Sequence, residues 1–472
     1  MKSVALVASA VVLSACSAVG PDYDRPEIDT PDAFRDRDAS AVSAAEIARW
    51  WDAFGDPELS ALVGETLAGN LDLEAAVRRI DAARAAVGIA ESDWLPTVDA
   101  SGGYVRTRPF GIPNVKTQNQ WSLGGSVAWE LDLFGRIRRS VEAATATLEA
   151  EVEDVRGVQV ALAAETASAY LELRSLQERL AIARSNVASQ EQSQSITAER
   201  FRVGMTAGLD PAQADLNLFT TRASIPGLRV GVRRARHRLA VLTGRDPRAL
   251  DERLAAEGSL PAAPETLMVG IPADLLQNRP DVRAAERRLA AQSASVGVAV
   301  AARYPALNLT GSWDWLATDP SGIFDDATET GSVGPLLSVP IFNAGRLRLN
   351  VESEEAVLQQ LEASLRSQVL VAQEEVENAL VAVAQDRLEI DLLGEAARAA
   401  ERTVDLSLQL YTSGQSDFQD VLQAERSLFS LQDDLAVSRL TLLLDMVELY
   451  RALGGGWAFG DGGTEPSAVS AE

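Results

Sequence analysis

The chain has 472 residues, 46% apolar, 24% charged and 5% aromatic, with a net charge of −25 and a pI of about 4.5. That acidic excess repels phosphate and argues against nucleic acid as a partner; most of it serves plain solubility. A single cysteine rules out an internal disulfide and argues against a cysteine-based metal site. With one histidine and no Ser/His/Asp set, phosphate loop or metal cluster, no enzyme is expected.

Residues 1–15 read as an export signal. Lys2 is the charged start, and the apolar run from Val4 to Leu13 is too short to span a bilayer as a helix. It ends in Leu13-Ser14-Ala15-Cys16, which resembles a bacterial lipoprotein cleavage box. Cys16 is then the expected lipidation site, carrying a diacylglycerol and an N-acyl chain; these are the only covalent additions expected, and no other cofactor or metal is. Each buried CH₂ of such a lipid adds about 0.8 kcal/mol of membrane affinity. Ser17, not aspartate, follows the cysteine, as in lipoproteins delivered to the outer membrane. Residues 16–60 form a lipid-anchored tether, extended where Pro21, Pro26 and Pro31 fall, with Trp50-Trp51-Asp52-Ala53-Phe54 as an aromatic anchor on the body.

A helix over 70–91 has an apolar side in Leu73, Ala76, Val77, Ile80 and Ala83, and Asn70 can cap it. The period then changes to two. Trp121, Leu123, Val127, Trp129 and Leu131 alternate with Ser122, Gly124, Ser126, Ala128 and Glu130, and residues 97–106 show the same pattern more weakly. From 135 to 201 there is no proline, and apolar residues recur in sevens through Val141, Leu148, Val155, Leu162, Ala169, Leu176 and Ala183. This is a helix that holds one seam against a partner, roughly 100 Å long at 1.5 Å per residue. Residues 203–208 turn the chain, and Asp210-Pro211 is expected to cap and start a return helix. The basic run Arg233-Arg234-Ala235-Arg236-His237-Arg238 reads as a solvated helix face.

After a linker over 246–273 the pattern returns at a step of 209 to 210. Gly135-Arg136 matches Gly345-Arg346, Gly204 matches Gly414, Asp210 matches Asp420, and the heptad column resumes through Val351, Leu358, Leu365, Ala372 and Ala379 until Asp386 breaks it, where the first copy has Leu176. The chain is thus an internal duplication, with repeats over 61–245 and 274–453. The second repeat supplies a helix over 281–302, strands over 306–315 and 333–341, a long helix, and a turn over 413–416. From Gly454 to Glu472 a flexible tail is expected.

Strands of about ten residues with one apolar and one small polar face suit a transmembrane β-barrel, and equally a soluble sheet with one buried face. Four strands cannot close a barrel, and an open edge cannot sit in lipid, so a membrane reading requires an oligomer of two or three copies.

Taken in order, Leu13–Cys16, Gly20–Tyr23 with Arg25-Pro26, 50–59, 70–84, 129–135, 275–285 and 340–345 resemble the TolC-type outer-membrane efflux channels, in the lipoprotein branch of OprM- and NodT-like proteins. The resemblance spans about residues 13 to 453. It implies an α + β membrane protein: a homotrimer with four strands per protomer in one twelve-stranded β-barrel, continued by a long periplasmic α-helical barrel. It also implies a periplasmic adaptor protein and an inner-membrane pump of the resistance-nodulation-division type as partners, with small molecules as cargo. By the same resemblance Asp210, Tyr411, Asp417 and Asp420 form a periplasmic gate, with the Tyr411 hydroxyl reaching Asp210. The tips Val203, Gly204, Met205 and Thr206, and Ser413, Gly414, Gln415 and Ser416, would touch the adaptor. Gln423 and Ser416 depart from the family at gate positions. Two other readings are a duct for type I protein secretion and a structural envelope lipoprotein without a pore.

Overall fold

The computed structural model describes residues 18–27, 47–108, 117–264 and 279–457. The expected signal, Cys16 and Ser17 lie outside them. The order is a 3₁₀ turn (Trp50–Phe54), α1 (Pro57–Gly69), α2 (Leu71–Ser92), β1 (Thr97–Thr107), β2 (Gln118–Leu131), α3 (Arg136–Arg202) and α4 (Leu209–Leu242). Then follow α5 (Pro280–Ala301), β3 (Ala306–Ala317), β4 (Glu329–Ser338), α6 (Arg346–Thr412) and α7 (Phe418–Ala452). Contacts divide the chain into two units.

The first unit takes in residues 78–153 and 283–367 and the start of the chain. Its sheet is antiparallel in the order β1-β2-β3-β4, which leaves β1 and β4 as edges. The register puts Val98 opposite Val127, Tyr104 opposite Trp121, Leu123 opposite Trp315, Trp129 opposite Leu309, and Leu307 opposite Leu337. Directly opposed residues share a face, so one face of the sheet is apolar and aromatic. The other carries Asp99 against Ser126, Gly124 against Asp314, Ser126 against Ser312, and Ser312 against Ser332. At the hairpin end Tyr104 meets Trp121 (ring centroids 4.5 Å) and Trp313 meets Trp315 (5.5 Å). Toward the opposite end, Trp129 donates its indole N–H to Trp94 O at 2.9 Å, and Phe134 stacks on Tyr304. Trp121 and Trp129 lie eight residues apart on β2, about 26 Å at the rise of a strand.

β4 begins at Glu329 and ends at Ser338, earlier at both ends than expected. Val339 and Ile341, on either side of Pro340, fall outside it. The extended tether is fastened within this unit. Arg139, with a side chain only 5% exposed, reaches Asp22 Oδ1 at 2.6 Å and Val19 O at 3.4 Å. Tyr23 donates to Glu286 at 3.2 Å, and Arg25 pairs with the same carboxylate. Burial first, then the Glu286 charge, pushes the Tyr23 hydroxyl up to about 12.

The second unit takes in residues 47–77, 154–282 and 368–457. The heptad seam is visible in its burial: Val155, Leu162, Thr166, Ala169, Leu173, Leu180 and Ala183 on α3 are buried, as are Ala372, Val376, Ala379 and Val383 on α6. Two expectations need correction here. The tether read over 16–60 already contains the start of a helix: Asp56 caps α1 through Glu58 N (2.9 Å) and Leu59 N (3.3 Å), and Tyr170 also donates to it at 2.6 Å. The tail read from Gly454 onward starts as buried structure. Gly454 to Trp457 are buried, Trp50 stacks on Tyr450 with centroids 5.3 Å apart, and a Cβ at Gly455 would come within 2.8 Å of Ile47 O. The small residues there permit close packing, although their composition resembles that of a flexible tail. Residues 458–472 lie outside the described set.

Among the described residues no helix is long and apolar enough to cross a membrane, which bears on helices and not on the sheet.

Candidate functional site

α3 and α6 both end in the same turn. Gly204 and Gly414 each take φ of +75°, Met205 N–H donates to Arg200 O at 2.9 Å, and Gln415 N–H donates to Leu410 O at 2.8 Å. A left-handed glycine with this bond closes the last carbonyls of a helix and reverses the chain in few residues. The two hairpin tips are therefore geometric copies, and their side chains are not.

Tyr411, at the end of α6, is 3% exposed and donates its hydroxyl to Asp210 Oδ2 at 2.9 Å. This joins the second tip to the first. Asp210 also accepts from the Thr206 hydroxyl. Burial, followed by the bond to Asp210, raises the Tyr411 hydroxyl above its usual range, so it stays protonated and donates. The expected capping role of Asp210 needs correction. α4 begins at Leu209 with Gly208 at the cap position and no side-chain cap bond. Asp210 is inside the first turn, where its carboxylate is directed to Thr206 and Tyr411.

Arg200 completes the cluster, and the sequence reading missed it. Its guanidinium carbon lies 4.6 Å from the centre of the Tyr411 ring, and Nη1 donates to Tyr411 O and Thr412 O, both at 2.9 Å. It therefore holds the end of α6 through two terminal carbonyls, of which Tyr411 O also accepts the Gly414 N–H at 3.0 Å, and through a cation–π contact. The duplication gave no signal for it, because Leu410 occupies the matching position in the second half. Beneath, Tyr411 packs on Phe418 (5.3 Å), with Ala214, Val421 and Leu422 in the same buried cluster. One turn further from the tip Glu425 is 4% exposed and accepts from Ser193 and Asn217; burial raises its carboxyl above the usual range despite both donors.

Of the other candidates, Asp417 sits at the N-cap position of α7 without a side-chain cap bond, and Asp420 lies in its first turn. Both are exposed, and neither carboxylate is bonded among the described residues. The structure thus brings Asp210 and Tyr411 together and leaves Asp417 and Asp420 at the surface. Val203, Gly204, Met205, Ser413, Gly414 and Gln415 are exposed at the tips, while Thr206 and Ser416 are half-buried. No group of three or more potential metal ligands occurs among the described residues.

The sequence profile of the outer membrane efflux proteins matches the chain twice, over residues 62–245 and 271–455. The chain belongs to that family. Nodulation protein T of Rhizobium leguminosarum bv. trifolii is 35% identical over 433 residues, 90% of this chain and 91% of that protein. The toluene efflux pump outer membrane protein TtgF of Pseudomonas putida is 33% identical over 481 residues, covering 96% of both chains. The solved outer-membrane channel OprN has 38% identity and a TM-score of 0.84, covering 93% of this chain and 99% of that one. The chain is therefore an outer-membrane efflux channel protein of the TolC type, as its motifs implied, and its α + β fold is that of these channels.

Proposed function

We propose that this chain is the outer-membrane duct of a tripartite efflux assembly, in which three copies share one barrel and the helix tips meet a periplasmic adaptor leading to a resistance-nodulation-division pump. The observation that carries this reading is the four-stranded sheet with one apolar face, one small polar face and two unpaired edges. Unpaired backbone groups cannot lie in hydrocarbon, so β1 of one copy closes on β4 of the next, and three copies give twelve strands. The aromatic residues near both ends of the strands bound an apolar band about 26 Å long on the strand, which is roughly 20 Å tall at the tilt of barrel strands and near the height of an outer-membrane barrel's apolar band. A relative named for toluene efflux and another named for pyoverdine export support small molecules as the cargo. Acylation of Cys16 would fix the tether end to the membrane.

In this reading the Tyr411–Asp210–Arg200 cluster is the periplasmic gate. It clamps the two hairpins of one protomer together while the channel is closed, and the exposed Val203, Met205 and Gln415 are where an adaptor would engage to spread them. Planar-bilayer conductance of the purified protein, with its mass measured in the same detergent, tests the proposal. Discrete pores from a trimer are expected. A monomer without conductance would overturn the shared barrel. Deletion of the gene should sensitise cells to small toxic compounds and leave secretion of exoproteins intact.

A further inference from the structure

The basic run on α4 has no part in the tip cluster. Arg233, Arg236 and His237 line a cavity of about 720 Å³ together with Asp246, Arg248 and Asp251 from the segment after α4. Many arginines of this acidic chain find carboxylates: Arg179 meets Asp433, and Arg253 meets Glu58 and Glu65. Arg233, Arg236 and Arg248 do not, among the described residues, and Nε of Arg236 is buried without a hydrogen bond. Neither aspartate of the cavity forms an ion pair with them. Asp246 accepts the backbone N–H of Arg248 at 3.0 Å instead. In a chain with 68 acidic residues against 43 basic ones, three guanidiniums without a carboxylate partner gather around one cavity.

We propose that this cavity is an oxyanion site that takes a phosphate group. A carboxylate offers two oxygens in one plane. A phosphate offers three or four around a tetrahedron and can meet three separately rooted guanidiniums at once, with the imidazole of His237 as a further polar contact. Asp246 and Asp251 disfavour a bare polyanion and favour a phosphate that carries a proton or a neighbouring ammonium. The volume accommodates a group well beyond phosphate itself.

His237 is the only histidine, so histidine-labelled full-length protein gives one set of imidazole resonances. These are followed at fixed pH and ionic strength while inorganic phosphate, or in a second arm glycerophosphoethanolamine, replaces chloride. A saturable shift is expected, weakened at least tenfold in Arg248→Gln and in the double variant Arg233→Gln/Arg236→Gln, and retained in Arg234→Gln, whose side chain does not line the cavity. Tighter saturation by glycerophosphoethanolamine identifies a lipid headgroup as the source, and tighter saturation by inorganic phosphate identifies the free ion. Unchanged mass and conductance of each variant show that it is folded. A flat titration in both arms, as when an acidic side chain of a second copy fills the cavity, overturns the proposal, and so does a shift unaltered by Arg248→Gln.

Discussion

The two halves of the chain solve the same local problem at the same position with different chemistry. Asn70 and Arg279 are 209 residues apart, the step of the duplication. Asn70 accepts from Asp72 N and Leu73 N to start α2, and its amide donates to Leu242 O at 2.8 Å, closing α4. Arg279 donates to Ala452 O at 2.6 Å, closing α7, while pairing with Asp281 and Glu375, each at 2.8 Å. Duplication preserved where the return helix is closed and left open how. A neutral amide can be lost at the cost of a cap, whereas a buried guanidinium takes charge-assisted bonds with it. Arg279→Ala should therefore cost about 2–3 kcal/mol, since it removes charge-assisted bonds to Ala452 O and Asp281, while Glu375 keeps Arg451 at 3.3 Å. Asn70→Ala should cost only about 1–2 kcal/mol. Thermal unfolding of both variants in detergent checks the ranking, and equal losses would mean that the two caps are energetically the same device.

The tips repeat this contrast in functional form. Tyr411 is 3% exposed and bonded, whereas its counterpart Phe201 is 51% exposed and has no hydroxyl. Asp210 is engaged, and its counterpart Asp420 is not. At the tips the tyrosine–aspartate latch is thus made once, where the duplication could have supplied it twice. We predict that Tyr411→Phe with Asp210→Ala raises the open fraction of single channels roughly tenfold or more, because hydrogen bonds to a charged group contribute about 1.5–3 kcal/mol. Unchanged conductance and unchanged leak of bulky antibiotics would remove the latch from the gate. Arg200→Leu, which installs the residue of the second half, should act in the same direction but more weakly, by about two- to fivefold, since a partly exposed cation–π contact contributes about 0.5–1 kcal/mol. A single-channel record of that variant without added openings would make Arg200 a helix cap and nothing more.

Much of this was legible because periodicity is a strong signal and long helices repeat it many times. The seam, the alternating strands and the 210-residue step all rest on many residues agreeing. The latch was legible only through resemblance, since nothing in the spacing of Tyr411 and Asp210 announces a contact between residues 201 apart. Arg200 escaped because a single arginine near the end of a charged helix looks like any other, and its partners are backbone carbonyls, which leave no trace in sequence. Asp210 was misplaced as a cap by two positions, within the usual margin of a helix boundary. The buried run Gly454 to Trp457 was hidden by a composition that permits either close packing or freedom.

A last difference between the halves lies inside the seam itself. Leu176 of the first half is replaced by Asp386 in the second, and Asp445 of α7 stands beside it. Burial, and then the neighbouring carboxylate, push Asp386 up to about 6. The sign follows from linkage: a carboxyl whose folded pKa exceeds its unfolded value is held protonated by the fold, so stability falls as pH rises from about 4 through 6 and is level above. Asp386→Leu, which restores the residue of the first half, should remove that loss. The variant should gain in Tm at pH 7.5 and gain little at pH 4, and the pH dependence of unfolding should flatten between those values. A gain of equal size at both pH values would show that the leucine acts by packing alone, and that the acidic pair carries no pH-dependent strain.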